Sequence, residues 1–240
     1  MVRLLGGGNA SANMYSSALI SGNDNDGVMV QIVTPENITK VTTSQYANAL
    51  ITAGATNVEV KVASPVKVTG ESALTGVYLA YEDKGIELDT EAMNVAQEEL
   101  SVVTGIVEEA STNEQFNEES LNLALIEIKQ ELAEIKENQG TEAITDAVVE
   151  QVVTDALENN ELGSLMTAEQ ISQLVDLAKQ YLSLDNFFTP EMQEQLSALA
   201  SDVGEKAKEL AGQIGSKISE TLQDEGFWEG IKNFFTGIID

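Results

Sequence analysis

The sequence of 240 residues contains no cysteine, no histidine and only three prolines. The lack of cysteine excludes disulfides, thiolate nucleophiles and thiolate-held iron–sulfur clusters. The lack of histidine excludes a Ser-His-Asp triad, and the two absences together remove the common ligands of zinc and haem. We therefore expect no metal site and no cofactor, and we expect the fold to depend on side-chain packing.

Long hydrophobic runs are also missing from this sequence. No apolar stretch approaches the roughly 18 residues that a membrane-spanning helix needs, so we expect no transmembrane span. The first eight residues are too short and too rich in glycine to form a signal peptide. A hydrophobic content of 42% is nevertheless ordinary for a folded protein, which argues against an acidic disordered chain.

Positive charge is scarce, because 12 lysines and arginines face 40 aspartates and glutamates and leave a net charge of −28. Such a charge repels the phosphate backbone, so we do not expect nucleic acid as a partner. Residues 1–85 hold seven acids and five bases, which places −26 of the charge in residues 86–240. Glycine and β-branched residues also give way there to Glu, Gln, Leu and Ala. We predict an α/β domain over 1–85 and an acidic helical region over 86–240.

The first region predicts the element order β-β-α-β-α. Two short apolar runs surround the turn-forming segment 22–27, which is typical of a β-hairpin and does not match a calcium-binding loop. Thr42 or Thr43 begins a helix that Gly54 ends, and strict alternation predicts a strand over 57–62. A second helix follows over 70–82. The predicted fold class is α+β, a small β-sheet with packed helices followed by an acidic all-helical half.

Helical spacing of apolar residues continues through the second region. Asp89 is a predicted cap, and Thr167 with Gln170 matches a capping box. Predicted helices cover 89–110, 117–140, 141–157, 167–182 and 190–224. We expect the last one to break or kink at Gly204, Gly212 or Gly215, because each glycine costs about 1 kcal/mol inside a helix.

One segment, 63–76, runs from a predicted strand into a helix start and is rich in glycine and hydroxyl residues. Backbone N–H groups at such a start can hold an anion, although Glu71 already places a negative charge there. The segment has neither the spacing of a phosphate-binding loop nor that of a nucleophile elbow. Two interpretations stay open, a purely structural turn and a ligand site formed by Thr69, Gly70, Glu71, Ser72 and Thr75.

The last fifteen residues, 226–240, contain the single tryptophan and three of the six phenylalanines. Their apolar side chains share one helical face, which fits three interpretations: packing on the protein's own core, a partner or self-association surface, or a membrane-surface helix. Membrane-surface helices usually carry several basic residues, and this segment has only Lys232. The residues of the candidate partner or self-association surface are Phe227, Trp228, Ile231, Phe234 and Phe235.

Four blocks, 37–42, 46–54, 63–76 and 80–82, resemble the YpuA-like family, a domain-of-unknown-function family of secreted proteins in low-GC Gram-positive bacteria. The resemblance implies an extracytoplasmic setting at the cell envelope and supplies no catalytic residues. Family members usually carry a signal peptide and a further N-terminal stretch before the segment matching 4–7. Neither precedes that segment here, which leaves open whether the sheet lacks a strand.

Three hypotheses for the function follow. The first, which we favour, is a non-enzymatic binding module for an envelope component or a cationic protein or peptide, because opposite charge favours such partners. The second is a glycan-cleaving enzyme that uses two carboxylates, with Glu71 paired to Glu82 or Asp83. The third is a structural protein that self-associates through its helices and its C-terminal segment.

Overall fold

The computed structural model describes residues 14–23, 27–184 and 188–214, with side chains up to residue 210. These residues form three strands and seven α-helices, which confirms the α+β class. In chain order the elements are β1 (Ser17–Gly22), β2 (Val28–Ile32), α1 (Thr43–Thr52), β3 (Val58–Ala63), α2 (Ala73–Asp83), α3 (Thr90–Ala110), α4 (Glu118–Gln139), a 3-10 turn (Thr141–Ala143), α5 (Asp146–Asn159), α6 (Ala168–Ser183) and α7 (Pro190–Ile214).

The sheet has the strand order β1-β3-β2, so the predicted hairpin between β1 and β2 is wrong. Strand β3 lies between them, antiparallel to β1 and parallel to β2. The physical reason is burial. The side chains of Val58, Val60 and Val62 are at most 5% exposed, and β3 buries them best at the centre of the sheet, where strands flank it on both sides. Strands β2 and β3 are joined through α1, which is the crossover that a parallel pair requires.

Within the described residues, helices cover one face of this sheet. Helices α1 and α2 pack with the inward side chains of the strands in a core that includes Leu50, Leu74 and Val77. The opposite face, which we call the outer sheet face, carries Leu19 and Met29 together with Glu59 and Lys61. The fold is therefore a helix layer on a three-stranded sheet in this part of the chain.

Helix α1 belongs to two cores at once. Its residues Ala49 and Leu50 pack against the sheet, whereas Ala47 and Ile51 lie in the larger core formed by α3 to α7. Contacts of α1 with α3, α4 and α7 cross residue 85. The division of the chain at that residue remains a prediction.

Three helices begin at the cap residues that the sequence predicts. Thr42 and Thr167 each form a capping box, and the Asp89 carboxylate accepts a hydrogen bond of 2.9 Å from the backbone N–H of Ala92. Helix α5 begins later than predicted, at Asp146, because residues 141–143 form the 3-10 turn and Thr145 supplies the cap.

The sequence predicts a break or kink in the last helix, whereas α7 continues without a break through Gly204 and Gly212 to Ile214. The kink stays a prediction. Gly204 is buried, and α7 packs along α4, where the Asn117 amide donates a hydrogen bond to the Ala207 carbonyl. These tertiary contacts offset the low helix propensity of glycine. Gly215 and residues 215–224 lie outside the described residues. Among the helices described, none is long and apolar enough to cross a bilayer.

Candidate functional site

The loop before α2 contains the predicted ligand residues, and its geometry is set by one glycine. Gly70 has a φ of +117°, and a Cβ atom added there lies 2.7 Å from the Tyr46 hydroxyl oxygen and 2.8 Å from Cγ2 of Ile38. The Tyr46 hydroxyl donates a hydrogen bond of 2.6 Å to the Gly70 carbonyl oxygen. Only glycine fits this close approach, so the local packing accounts for Gly70 without a ligand.

The other predicted residues, Thr69, Thr75 and Ser72, differ in burial and in hydrogen bonding. Thr69 is exposed, and its carbonyl oxygen accepts a hydrogen bond of 3.1 Å from the backbone N–H of Lys40. Thr75 on α2 is fully buried, and within the described part of the chain its hydroxyl has no hydrogen-bond partner. Ser72 precedes α2 without capping it through its side chain. The ligand-binding assignment of this loop stays a prediction.

Glu71 is the ionisable member of the loop. Burial raises the pKa of its carboxyl, Lys40 opposes that rise and Glu108 adds to it. Lys40 also forms an ion pair of 2.6 Å with Glu108 of α3. Three charged side chains thus meet where the loop faces α3, and none of them is the predicted carboxylate partner of Glu71.

That predicted partner lies at the far end of α2. Glu82 and Asp83 occupy the last turn of this helix, roughly 13–15 Å along the axis from its first residue. A glycosidase pair needs carboxyls about 5–10 Å apart across a cleft. Glu71 with Glu82 or Asp83 therefore does not form such a pair, because α2 holds the two ends apart.

A buried polar network connects four helices. The Lys129 ammonium of α4 is completely buried and lies 2.8 Å from Oε1 of Glu99 on α3. The other Glu99 oxygen, Oε2, accepts hydrogen bonds from the Thr52 hydroxyl at 2.6 Å and the Tyr181 hydroxyl at 3.0 Å. Lys129 also donates to the Asn48 side chain of α1.

Burial dominates the electrostatics of this network. It lowers the pKa of Lys129, and the nearby Glu99 carboxylate opposes that change. Burial also raises the pKa of Tyr181, and Glu99 adds to the rise. Because Lys129 and Glu99 are at most 1% exposed, no substrate reaches them in this structure. The network therefore has a structural role, which is to join α1 to α3, α4 and α6.

A cavity of about 230 Å³ opens at the C-terminal end of α1. Its apolar wall is built from four buried side chains of α1, α3, α7 and the end of α6: Ile51, Ala92, Met192 and Leu184. Its rim carries the exposed acids Glu87, Asp89 and Glu91. None of the described residues that line it is basic.

The charges around this cavity have both signs, because the N-terminal ends of α3 and α7 line it together with the acidic side chains. The carboxylates of Glu87 and Glu91 lie at the rim, and the C-terminal end of the α1 dipole points toward it. The Asp89 carboxylate accepts a hydrogen bond from the backbone N–H of Ala92 at the start of α3, which offsets part of its negative charge. Among the described residues no cluster of three acids has the arrangement of a metal site. The cavity is thus suited to an organic cation whose apolar part contacts Ile51 and Met192.

No local sequence pattern predicts this cavity, and the buried network is not among the predicted sites. A signal for the network exists, because Lys129 falls on the apolar face of α4, four residues after Leu125 and three before Leu132. The predicted surface of Phe227, Trp228, Ile231, Phe234 and Phe235 lies outside the described residues. It stays a prediction.

The fold and the cavity define a class of protein: an α+β chain with an acidic helical majority and an acidic-rimmed cavity. The chain belongs to the family described as "Protein of unknown function (DUF1002)", whose model matches residues 3–199. It is 29% identical over 234 residues to "Uncharacterized protein YpuA" from Bacillus subtilis (strain 168), an alignment that covers 96% of this chain and 67% of that protein. These matches confirm the resemblance to the YpuA-like family. No solved structure matches.

Proposed function

We propose that the protein is an extracytoplasmic, cell-envelope-associated binding module without catalytic activity, and that it binds a lysine or arginine side chain of a cationic partner protein or peptide. The observation that carries the proposal is the acidic-rimmed cavity at the end of α1. The resemblance to the YpuA-like family supports the envelope setting.

The size of the cavity favours a single side chain over a whole small molecule. Pockets for small-molecule ligands usually enclose about 300–1,000 Å³, and this cavity encloses about 230 Å³. Lysine and arginine place an aliphatic stem on apolar surface and keep the charged group at a polar edge. The wall of Ile51 and Met192 suits the stem, and the carboxylates of Glu87 and Glu91 suit the charged group.

Charge on the rest of the molecule supports the same class of partner. The net charge of −28 attracts a cationic chain over a distance and speeds its association. It also repels anionic polymers such as teichoic acids. A cationic protein or peptide of the envelope therefore fits better than an anionic wall polymer.

The proposal is tested by calorimetric titration of the full chain with a lysine-rich peptide and with a matched peptide in which glutamine replaces each lysine. We expect the lysine peptide alone to bind. Thr56→Trp places a large side chain at the exposed lip of the cavity, and we expect it to weaken binding at least tenfold. The double variant Glu87→Gln, Glu91→Gln is expected to weaken binding by a similar factor.

Two matched variants control for charge and bulk. Thr141→Trp adds the same side chain at an exposed position away from the cavity, and Glu114→Gln removes an exposed acid elsewhere. Both should bind like the unaltered chain. Equal binding by Thr56→Trp and Thr141→Trp contradicts the cavity as the site, and equal binding of both peptides contradicts recognition of positive charge.

The envelope setting has its own measurement. Fractionation of cells that produce the full-length protein should recover it with the envelope or the medium, and capture from envelope extracts should retain a cationic protein. Recovery in the cytosolic fraction would overturn the location and leave the peptide titration as a separate result.

A further inference from the structure

Exposed apolar side chains lie on both edge strands of the outer sheet face. Leu19 of β1 is 63% exposed, Met29 of β2 is 54% exposed, and Val33 just after β2 is 52% exposed. Between them β3 presents Glu59 and Lys61, whose charges are paired at 3.2 Å. The same face carries Ser17, Ser21 and Gln31, so it is nearly neutral and mixed in polarity on a chain of net charge −28.

The dimensions of this face limit what can cover it. Six-residue strands span about 20 Å, and three strands at a spacing of about 4.8 Å give a width of roughly 14 Å. The resulting area of roughly 300 Å² is well below the 800 Å² or so that each partner of a stable complex buries. Two copies also repel each other through their charge. A single amphipathic segment of the same chain fits the area better.

Residues 226–240 have the length and composition for this position. Fifteen residues in helical form extend about 22 Å and are about 10 Å wide, which matches the face. The apolar positions Phe227, Ile231 and Phe234 recur at helical spacing. The segment carries only Glu229, Lys232 and Asp240 as charged residues, so its charge suits the neutral face.

Helix α7 packs against α1 and α4 and runs along the sheet. Near the start of α7 the Gln195 amide donates a hydrogen bond of 3.2 Å to Asn57, directly before β3. Farther along, the Lys206 ammonium lies 3.4 Å from the Thr43 hydroxyl at the start of α1, which follows the end of β2. Between these two contacts α7 runs in the direction of β2 and β3, and at Lys206 it has reached the start of α1.

The chain between α7 and the segment is long enough. Residues 215–225 extend at most about 36–40 Å, which exceeds the length of the sheet. A tether of this kind gives the segment a millimolar effective concentration at the face, which a second molecule in dilute solution does not reach. From these observations we infer that residues 226–240 bind the outer sheet face of their own chain, with aromatic side chains over Leu19, Met29 and Val33.

The single tryptophan, Trp228, reports on this contact without labelling. We expect its emission in the full chain to lie at short wavelength and to resist quenching by acrylamide. Met29→Lys should move the emission to longer wavelength and restore quenching. Ile86→Lys, at a residue that is 48% exposed and lies between α2 and α3, is the matched control and should leave both unchanged. Exposed tryptophan in the unaltered chain, or identical spectra for both variants, overturns the inference.

Cross-linking distinguishes the possible occupants. The chain lacks cysteine, so Leu19→Cys with Phe235→Cys introduces the only two thiols. A bifunctional maleimide should join them within one molecule, and Ile86→Cys with Phe235→Cys should react much less. A cross-linked dimer means that a second copy covers the face and overturns the inference. Removal of residues 1–13 should change neither result; loss of the cross-link after that removal assigns the face to the N-terminal segment and overturns it as well.

Discussion

At the scale of single residues, the approach of Gly70 to Tyr46 gives the strongest prediction. Gly70→Ala forces a Cβ atom to within 2.7 Å of the Tyr46 hydroxyl at a φ of +117°, where L side chains are strained. We expect the free energy of unfolding to fall by about 1–3 kcal/mol. Urea titration of the purified variant measures this directly.

Gly105→Ala is the matched control for this prediction. Gly105 lies inside α3 with open space around its Cβ position, and alanine favours a helix by up to about 1 kcal/mol. The control should therefore be as stable as the unaltered chain or more so. If Gly70→Ala is equally stable, the packing of the loop against Tyr46 is wrong and the ligand interpretation of Thr69, Gly70 and Glu71 gains weight.

At the scale of elements, we expect the ion pair of Lys129 and Glu99 to contribute more to stability than any other polar contact between the described helices. Lys129→Met leaves a buried carboxylate without its cation, which typically costs about 3–5 kcal/mol. Adding Glu99→Gln to Lys129→Met removes that charge and keeps an acceptor for Thr52 and Tyr181. We expect the double variant to recover part of the loss in thermal unfolding.

The control for this pair lies on the surface. Lys40 and Glu108 form an ion pair of 2.6 Å, but their side chains are 36% and 62% exposed. Lys40→Met should therefore cost no more than about 1 kcal/mol. Equal losses of stability in Lys129→Met and Lys40→Met contradict a stabilising buried network between α1, α3 and α4.

Helix starts are predictable from this sequence, whereas the pairing of the strands is not. The helix starts at Thr42, Asp89 and Thr167 follow from local cap chemistry, and the structure confirms them. The pairing of strands does not follow from local signals, because the turn-rich segment 22–27 gives no information about which strand takes the centre. Burial of β3 decides that, and burial depends on the packing of α1 and α2.

Segment 63–76 and the cavity also differ in how far sequence alone predicts them. Segment 63–76 is recognisable from sequence because its glycine and hydroxyl residues are close together, and tight packing explains the glycine at position 70. The cavity is assembled from α1, α3, α6 and α7, whose contributing residues lie up to about 140 positions apart. No spacing rule connects Ile51 with Met192, so only the tertiary structure brings them together.

At the scale of the whole molecule, burial of carboxyls in a chain of net charge −28 sets how stability depends on pH. Burial raises the pKa of Glu71, Glu118, Glu119 and Glu131, and it raises that of Glu127 on α4 to about 7. The Asn159 and Asn160 amides donate hydrogen bonds to Glu127 and oppose the rise, whereas Glu131 and Asp155 add to it.

The sign of the effect follows from proton linkage. Since the folded pKa of Glu127 lies above the unfolded value of 4.5, the folded state binds more protons between these two values. The contribution of Glu127 to stability is complete below pH 4.5 and is lost as the pH rises through 7. We expect the free energy of unfolding to be higher at pH 5 than at pH 8, with Glu127 supplying about 1–3 kcal/mol of the difference.

Glu127→Gln should reduce that difference by raising stability at pH 8. Glu150→Gln removes an exposed charge from α5 and should leave the difference in free energy between the two pH values unchanged. Urea titrations of the three proteins at both pH values measure it, and equal slopes for all three would show that Glu127 does not titrate with folding.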